Sequence, residues 1–430
     1  MCRVTSSCRL TPTGVEGVSK MPAHTACRIC DAPLPEPFFD FGAMPLANAF
    51  LSSPEEFAQE ASYPLAVTNC ERCGLVQLAY VVPPERMYRH YLYVSSTSQA
   101  VRHYATALAA RLVDRYHMGA SDLVVELGSN DGLVLQAFKQ HGVRVCGVEP
   151  ASNLATLART NGIPTLNEFF SARTGVLLAR QEGRAAVILG RHVFAHIDDW
   201  HDFFEGVSQV LAADGVLLIE VPYLGYLLDA LEFDTIYHEH LSYLSVQAMM
   251  ALCERHGFQM VDLEPVALHG GSILFSIRRQ GSGQPSEAVE RFWRQEQQTQ
   301  LTQRSTLQQF AVRVTQWKRT FEELIGRLVD SGTRFVGYGA AAKANTLLNF
   351  CPGVAERLQC VLDRNPYKHG FYTPGTHRPV IDVEGWEGQG TSHMLILAWN
   401  FKEEIMAQMQ AFARQGGRFV IPIPTPAVVG

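Results

Sequence analysis

Residues 123–150, LVVELGSNDGLVLQAFKQHGVRVCGVEP, constrain the fold more than any other stretch of the chain. The segment opens on residues that are apolar except for Glu126, a run that reads as a buried parallel strand. The strand breaks into Gly128-Ser129-Asn130-Asp131-Gly132, where glycine lets the backbone bend or approach a ligand closely. Leu133, Val134, Ala137 and Phe138 form a helical face, and residues 144–148 make a second strand closed by Glu149. Strand, glycine loop, helix, strand and acid predict a nucleotide-type site in a doubly wound α/β sheet. In such sheets the ligand sits beyond the carboxyl ends of the strands, and an acid at the second strand's end can hold ribose hydroxyls.

The loop reads G-x-N-x-G, not the dinucleotide G-x-G-x-x-G, and Glu126 stands two residues before the first glycine. This E-x-G-x-N-x-G pattern resembles motif I of class I S-adenosylmethionine methyltransferases, with Asn130 in place of the middle glycine. The alternative is a parallel-sheet turn that holds no ligand. The resemblance implies donor binding by Glu126, Gly128, Asn130, Asp131, Gly132 and Glu149. Further strands are expected at 163–166, 185–190 and 215–221, with 258–263 and 273–278 as the antiparallel end of a seven-stranded sheet. Asn167, at the end of the third strand, falls where methyltransferases contact adenine.

Ahead of this unit stand Cys27-x-x-Cys30 and, about forty residues on, Cys70-x-x-Cys73-Gly74. Two such pairs complete a tetrahedral four-thiolate shell suited to zinc, and with every position filled the metal is structural. The segment between them is too proline-rich for regular helices. Cysteines in this pattern predict a reducing compartment, the cytoplasm, and not a disulfide scaffold. Net charge is -6 with no basic block, which disfavours a nucleic-acid partner. No apolar run nears the roughly 18 residues that span a bilayer. Expected units are a poorly ordered 1–20, a zinc-binding domain at 21–87, a methyltransferase domain at 88–280, a helical linker at 281–330 and a Rossmann-like domain at 331–430. The chain is expected to act as a monomer or small homo-oligomer.

Three further stretches carry chemistry. Tyr88, His90, Tyr91 and Tyr93 form either a core patch or an active-site wall of phenols. Asp234-Thr235-Ile236-Tyr237-His238-Glu239-His240-Leu241-Ser242-Tyr243 follows the fifth strand, on the same rim as the glycine loop. It suits a general base; a metal on H-x-H and a plain polar loop are the alternatives. In 335–345, Gly337-x-Gly339-x-x-Ala342 with Asp363 downstream is a tolerable dinucleotide fingerprint, so NAD is weighed, while Lys343 and Asn345 at a helix start suit phosphates.

Taken together, the four cysteines, ELGSNDG, His192-x-x-Ala195-His196-Ile197-Asp198-Asp199, Tyr237-His238-Glu239-His240-Leu241-x-Tyr243 and Gly337-Tyr338-Gly339-Ala340-Ala341-Ala342-Lys343 look like the sugar C-methyltransferases of deoxysugar biosynthesis, over about residues 25–425. One departure is Arg191-His192, where a small or Asn-type residue is expected. The resemblance implies methyl transfer from S-adenosylmethionine to C3 of a nucleotide-activated 4-ketosugar through an enolate. It makes His240 the base, with His196, Tyr237 and Glu239 positioning the sugar or steadying the enolate and Tyr91 or Tyr93 closing the pocket. It assigns Tyr338, Lys343 and Asn345, with Asn365, Tyr367 and Asn400, to the nucleotide diphosphate. An O-methyltransferase and a non-catalytic zinc-containing binding protein are the competing functions.

Overall fold

The computed structural model describes residues 23–89, 91–267, 271–330, 332–386, 388 and 390–430. The expected extension at 1–20, and His90, lie outside them. The proline-rich stretch between the cysteine pairs carries β1 (Phe39–Pro45) and β2 (Ser62–Asn69), which pair antiparallel, and β3 (Val76–Leu78) follows after the second cysteine pair.

The central sheet begins with β4 (Leu123–Leu127), all five residues buried, then β5 (Arg144–Val148), β6 (Thr165–Leu166), β7 (Ala185–Arg191) and β8 (Leu211–Pro222). Next in the chain, β9 (Ser242–Tyr243) leaves this sheet and pairs antiparallel with β3. The N-terminal sheet is therefore β1-β2-β3-β9, and the expected zinc-binding segment does not build it alone. With β10 (Phe258–Val266) and β11 (Ser272–Arg279), the central order becomes β10-β11-β8-β7-β4-β5-β6. The last three pairings toward β10 include two antiparallel ones, as expected. The order reverses between β4 and β7, and the glycine loop leaves β4 at that switch point.

Backbone geometry explains the loop residues. Asn130 sits at φ +52, a left-handed conformation that Asn tolerates, and can thus replace glycine there. Gly132 is at φ +81, and a Cβ on it would lie 2.9 Å from Ile163 Cγ1.

The helices Glu287–Thr299 and Arg304–Asp330 cover the expected linker. Leu307, Phe310, Val314, Trp317, Phe321 and Ile325 recur at helical spacing on the second and are buried, so this one face joins the units. The C-terminal sheet comprises β12 (Phe335–Tyr338), β13 (Leu358–Asp363), β14 (Val380–Asp382), β15 (His393–Ile396), β16 (Arg418–Ile421) and β17 (Ala427–Val429), in the order β14-β13-β12-β15-β16-β17. Its own switch point lies between β12 and β15. One hydrophobic cluster runs through all three sheets.

Candidate active site

A cavity of about 700 Å³ gathers residues from both switch points. At the central end lie Glu126, Gly128, Ser129, Asn130 and Glu149, with Arg191 and His192 from the end of β7. At the far end lie Ala341, Ala342, Lys343, Lys368, Ala398 and Asn400 of the C-terminal unit. Between them stand Tyr88, Tyr91, Tyr93, His196, Thr235, Tyr237 and His240.

The central end has the chemistry to hold a cationic donor. Glu126 is buried, and its Oε2 has no hydrogen-bond partner among the described residues. Burial raises its carboxyl to about 8. Glu149 accepts from the backbone N–H of Asn130 and of Ala151, each at 2.8 Å, which fixes its carboxylate at the cavity edge. Asn130 further ties the tyrosine segment down, donating through Nδ2 to the Tyr93 carbonyl at 3.0 Å and accepting from Ser95 N–H at 2.9 Å. Asp131 accepts from Ser96 N–H at 3.3 Å; neither it nor Gly132 lines the cavity. Asn167 also stays outside the lining, its amide donating to the Glu149 and Pro150 carbonyls. Where a small residue is expected, Arg191 pairs with the buried Glu220 at 3.1 Å, and His192 and Tyr104 donate to the same carboxylate.

The histidine pair forms the middle. His240 Nδ1–H donates to the Thr235 carbonyl at 2.8 Å, which leaves Nε2 with its lone pair. The Tyr237 hydroxyl donates to that Nε2 at 2.9 Å. Burial, then the neighbouring His196, holds the His240 pKa well below the usual 6.5. His196 lies 5.2 Å from His240 between ring centroids, stacks on Tyr88, and is pushed down to about 3 by burial and His192. Glu239 is one layer back: it accepts from Asn48 Nδ2 at 2.7 Å and from the Tyr91 hydroxyl at 2.9 Å, and burial raises it to about 7. His238 donates to the Tyr63 carbonyl and turns away from His240. The H-x-H pair therefore does not share a ligand.

The C-terminal candidates divide. Lys343 and Asn400 reach the cavity, Lys343 through a 3.4 Å ion pair with Glu232 and a position 4.8 Å from the Trp399 ring centroid. Tyr338 does not; it packs in the core of the C-terminal sheet and donates to Gln408 Oε1. Asn345 is buried and donates to the Ala47 carbonyl at 2.7 Å, and Asn365 donates to the Leu92 carbonyl at 3.0 Å. These two asparagines bind the chain's own N-terminal segments. Tyr367 is 53% exposed and away from the lining. Asp363 accepts from Ala340 and Asn365 N–H and stays out of the cavity, unlike Glu149, so the dinucleotide fingerprint presents no acid to a ribose. Tyr88 lines the cavity with Tyr91 and Tyr93, the active-site-wall alternative of the tyrosine cluster; Lys368, which sequence reasoning does not single out, is buried beside Phe50 and donates to the Ala340 carbonyl. Its only sequence signal was a basic residue soon after the strand-ending acid.

The four cysteine Sγ atoms lie within 4.8 Å of one another, Cys27 to Cys73 at 3.5 Å and Cys30 to Cys70 at 3.4 Å. Tetrahedral zinc with bonds of ~2.3 Å needs sulfurs about 3.8 Å apart, so the thiols fit one ion with no open position. Among the described residues this is the one grouping of three or more residues suited to a metal.

Comparison with known proteins places these features together. The chain is 36% identical over 404 residues to the C-methyltransferase NovU of Streptomyces niveus, covering 94% of this chain and 96% of that protein. The chain belongs to the C-methyltransferase family. Residues 267–424 match the family model of the C-methyltransferase C-terminal domain, 101–263 a methyltransferase domain, and 27–88 a domain described as zinc binding. This C-methyltransferase thus uses S-adenosylmethionine at the class I site and zinc at the four cysteines. Solved structures it matches include the PH0226 protein of Pyrococcus horikoshii OT3 (15% identity, 46% of this chain and 98% of that chain, TM-score 0.35). Another is the magnesium protoporphyrin IX methyltransferase of Synechocystis PCC 6803 (12%, 41% and 79%, TM-score 0.30). No helix of the described residues is long and apolar enough to cross a membrane.

Proposed function

We propose that this C-methyltransferase acts at C3, beside the 4-keto group of a nucleotide-activated deoxyhexose, with His240 as the base. The observation that carries the reading is the single cavity joining the two switch points, with His196, Tyr237 and His240 between them. A bipartite ligand, sugar at the centre and charged handle at the C-terminal end, matches that layout. When bound at the glycine loop, S-adenosylmethionine supplies an electrophilic methyl group.

Carbon becomes a nucleophile only after it loses a proton. His240 is held neutral by burial, and its tautomer is fixed by Thr235, so Nε2 is ready to accept the C3 proton. The Tyr237 hydroxyl, bonded to Nε2 in the free protein, turns to the C4 oxygen as charge develops there, and His196 flanks the sugar. Glu239 acts through Tyr91 and Asn48, holding the wall, and not on the substrate. Lys343, at the start of the helix Ala342–Phe350, and Lys368 face the diphosphate.

The test is incubation in deuterated water with methyl-labelled S-adenosylmethionine and a small panel of 4-ketosugar nucleotides. Expected are a C-methyl product and solvent deuterium at C3 of the ketosugar recovered unmethylated. His240→Asn should abolish both while leaving donor binding intact. An O-methylated product, or exchange that survives in His240→Asn, would overturn the reading.

A further inference from the structure

The two histidines of the site stand on different segments, one after β7 and one after β8, and something must set their spacing. The zinc knuckle reaches both. Arg28 lies between the ligands Cys27 and Cys30, and its side chain is 3% exposed. Its Nε donates to Asp198 Oδ1 at 2.8 Å, two residues beyond His196. Its Nη1 donates to the Leu78 carbonyl at 3.1 Å, in β3. Leu78 N–H in turn donates to the Leu241 carbonyl at 2.9 Å, one residue beyond His240. The relay closes where Leu241 N–H donates to the Ala195 carbonyl at 2.8 Å, next to His196. The Arg28 backbone N–H also donates to Gln77 Oε1, and β3 itself pairs with β9 just past His240.

We propose that Arg28 is a positioning residue that transmits the geometry of the zinc knuckle to the His196–His240 pair. Planar guanidinium is the group for this task, since it serves two acceptors in fixed directions and stays charged while buried. Four thiolates on one ion fix the backbone on either side of Arg28, so the metal's contribution extends beyond the N-terminal unit's own stability. The inference rests on the reading of His240 as the base.

The experiment uses the zinc-loaded full chain with Arg28→Ala, Asp198→Ala and the double variant. Arg28→Ala should lower kcat and C3 deuterium exchange together by about 10- to 100-fold, the cost of losing a supporting partner or of displacing a reacting group by up to about 1 Å. Zinc content and S-adenosylmethionine affinity should stay within about twofold, and the double variant should be no worse than the poorer single one, since both cut one path. Amide hydrogen exchange at Leu241 and Ser242 should rise in Arg28→Ala. Should Arg28→Ala fold poorly, Asp198→Ala carries the test from the partly exposed side of the pair. Unchanged kcat, a fall in zinc content or donor affinity that matches the fall in kcat, or additive losses in the double variant would overturn the proposal. If His240→Asn keeps C3 exchange, the reading of the base fails; if it loses exchange while Arg28→Ala does nothing, only the positioning role fails.

Discussion

Replacing Glu126 by Gln tests the electrostatics of the donor end of the cavity. Glu126 is 3% exposed, and burial, opposed by the Arg191 guanidinium, raises its carboxyl from the ordinary 4.5 to about 8. A group that holds its proton more tightly when folded favours folding while protonated. That contribution is complete below about pH 4.5 and is lost as the pH rises through 8. At roughly 1.4 kcal/mol per pH unit the ceiling is about 5 kcal/mol, and screening by water in an open cavity brings the expectation to about 2 kcal/mol. Glutamine has the shape of the neutral acid. Urea unfolding of the ligand-free protein should therefore give matching stabilities at pH 4 for the two forms, with Glu126→Gln the more stable at pH 9. Binding of the cationic donor should run the other way. In the parent protein, affinity measured by calorimetry should strengthen as the pH rises from 7 to 9 and the carboxylate forms, whereas Glu126→Gln should show little change. Parallel stability curves from pH 4 to 9, or a Glu126→Gln protein less stable at pH 9, would refute the argument.

Two other perturbations address the site and the knuckle. Tyr237→Phe removes the hydroxyl that donates to His240 Nε2, a bond that favours the neutral ring. With His240 as the base, the acid limb of kcat/KM is expected below pH 6.5 in the parent, because burial lowers His240; in Tyr237→Phe it should move to higher pH, and kcat should fall about 100-fold as an enolate donor is lost. A pH-rate profile checks both, and an unmoved limb counts against the Tyr237–His240 pairing. Cys70→Ser with Cys73→Ser should reduce bound zinc from one ion per chain to none, read by metal analysis, and should lower Tm, because these thiols sit at the turn between β2 and β3.

Much of the architecture could be read from hydrophobic runs and turn chemistry. β4, β5 and the loop between β4 and its helix declare themselves, because a strand buried on both faces must be nearly all apolar and the left-handed positions restrict residue choice. The four cysteines were legible from spacing alone. Two-residue β9 was not: its pairing with β3 is a contact across more than 160 residues, and Ser-Tyr has no periodicity to show. The same limit explains the C-terminal candidates. Asn345 and Asn365 sit at positions suited to a ligand, yet each amide is taken by a carbonyl of the N-terminal half, and a local pattern cannot register such a partner. Tyr338 fails for a simpler reason. Residues alternate across a strand, and its ring falls on the face turned to Gln408.

The N-terminal and C-terminal units also meet directly. Leu51 bridges Tyr372, Glu60 accepts from Gly375 N–H, His377 pairs with Glu60 and stacks on Phe57, and Asn345 donates to the Ala47 carbonyl, while Asn365 fastens the C-terminal unit to Leu92, in the stretch that leads into the central unit. The long helix Arg304–Asp330 ties the central and C-terminal units as well, Arg313 donating to the Leu228 and Asp229 carbonyls and Trp317 Nε1 to the Pro422 carbonyl. Opening about the 287–330 helices would therefore break the hydrogen bonds of Asn345 to Ala47 and of Asn365 to Leu92.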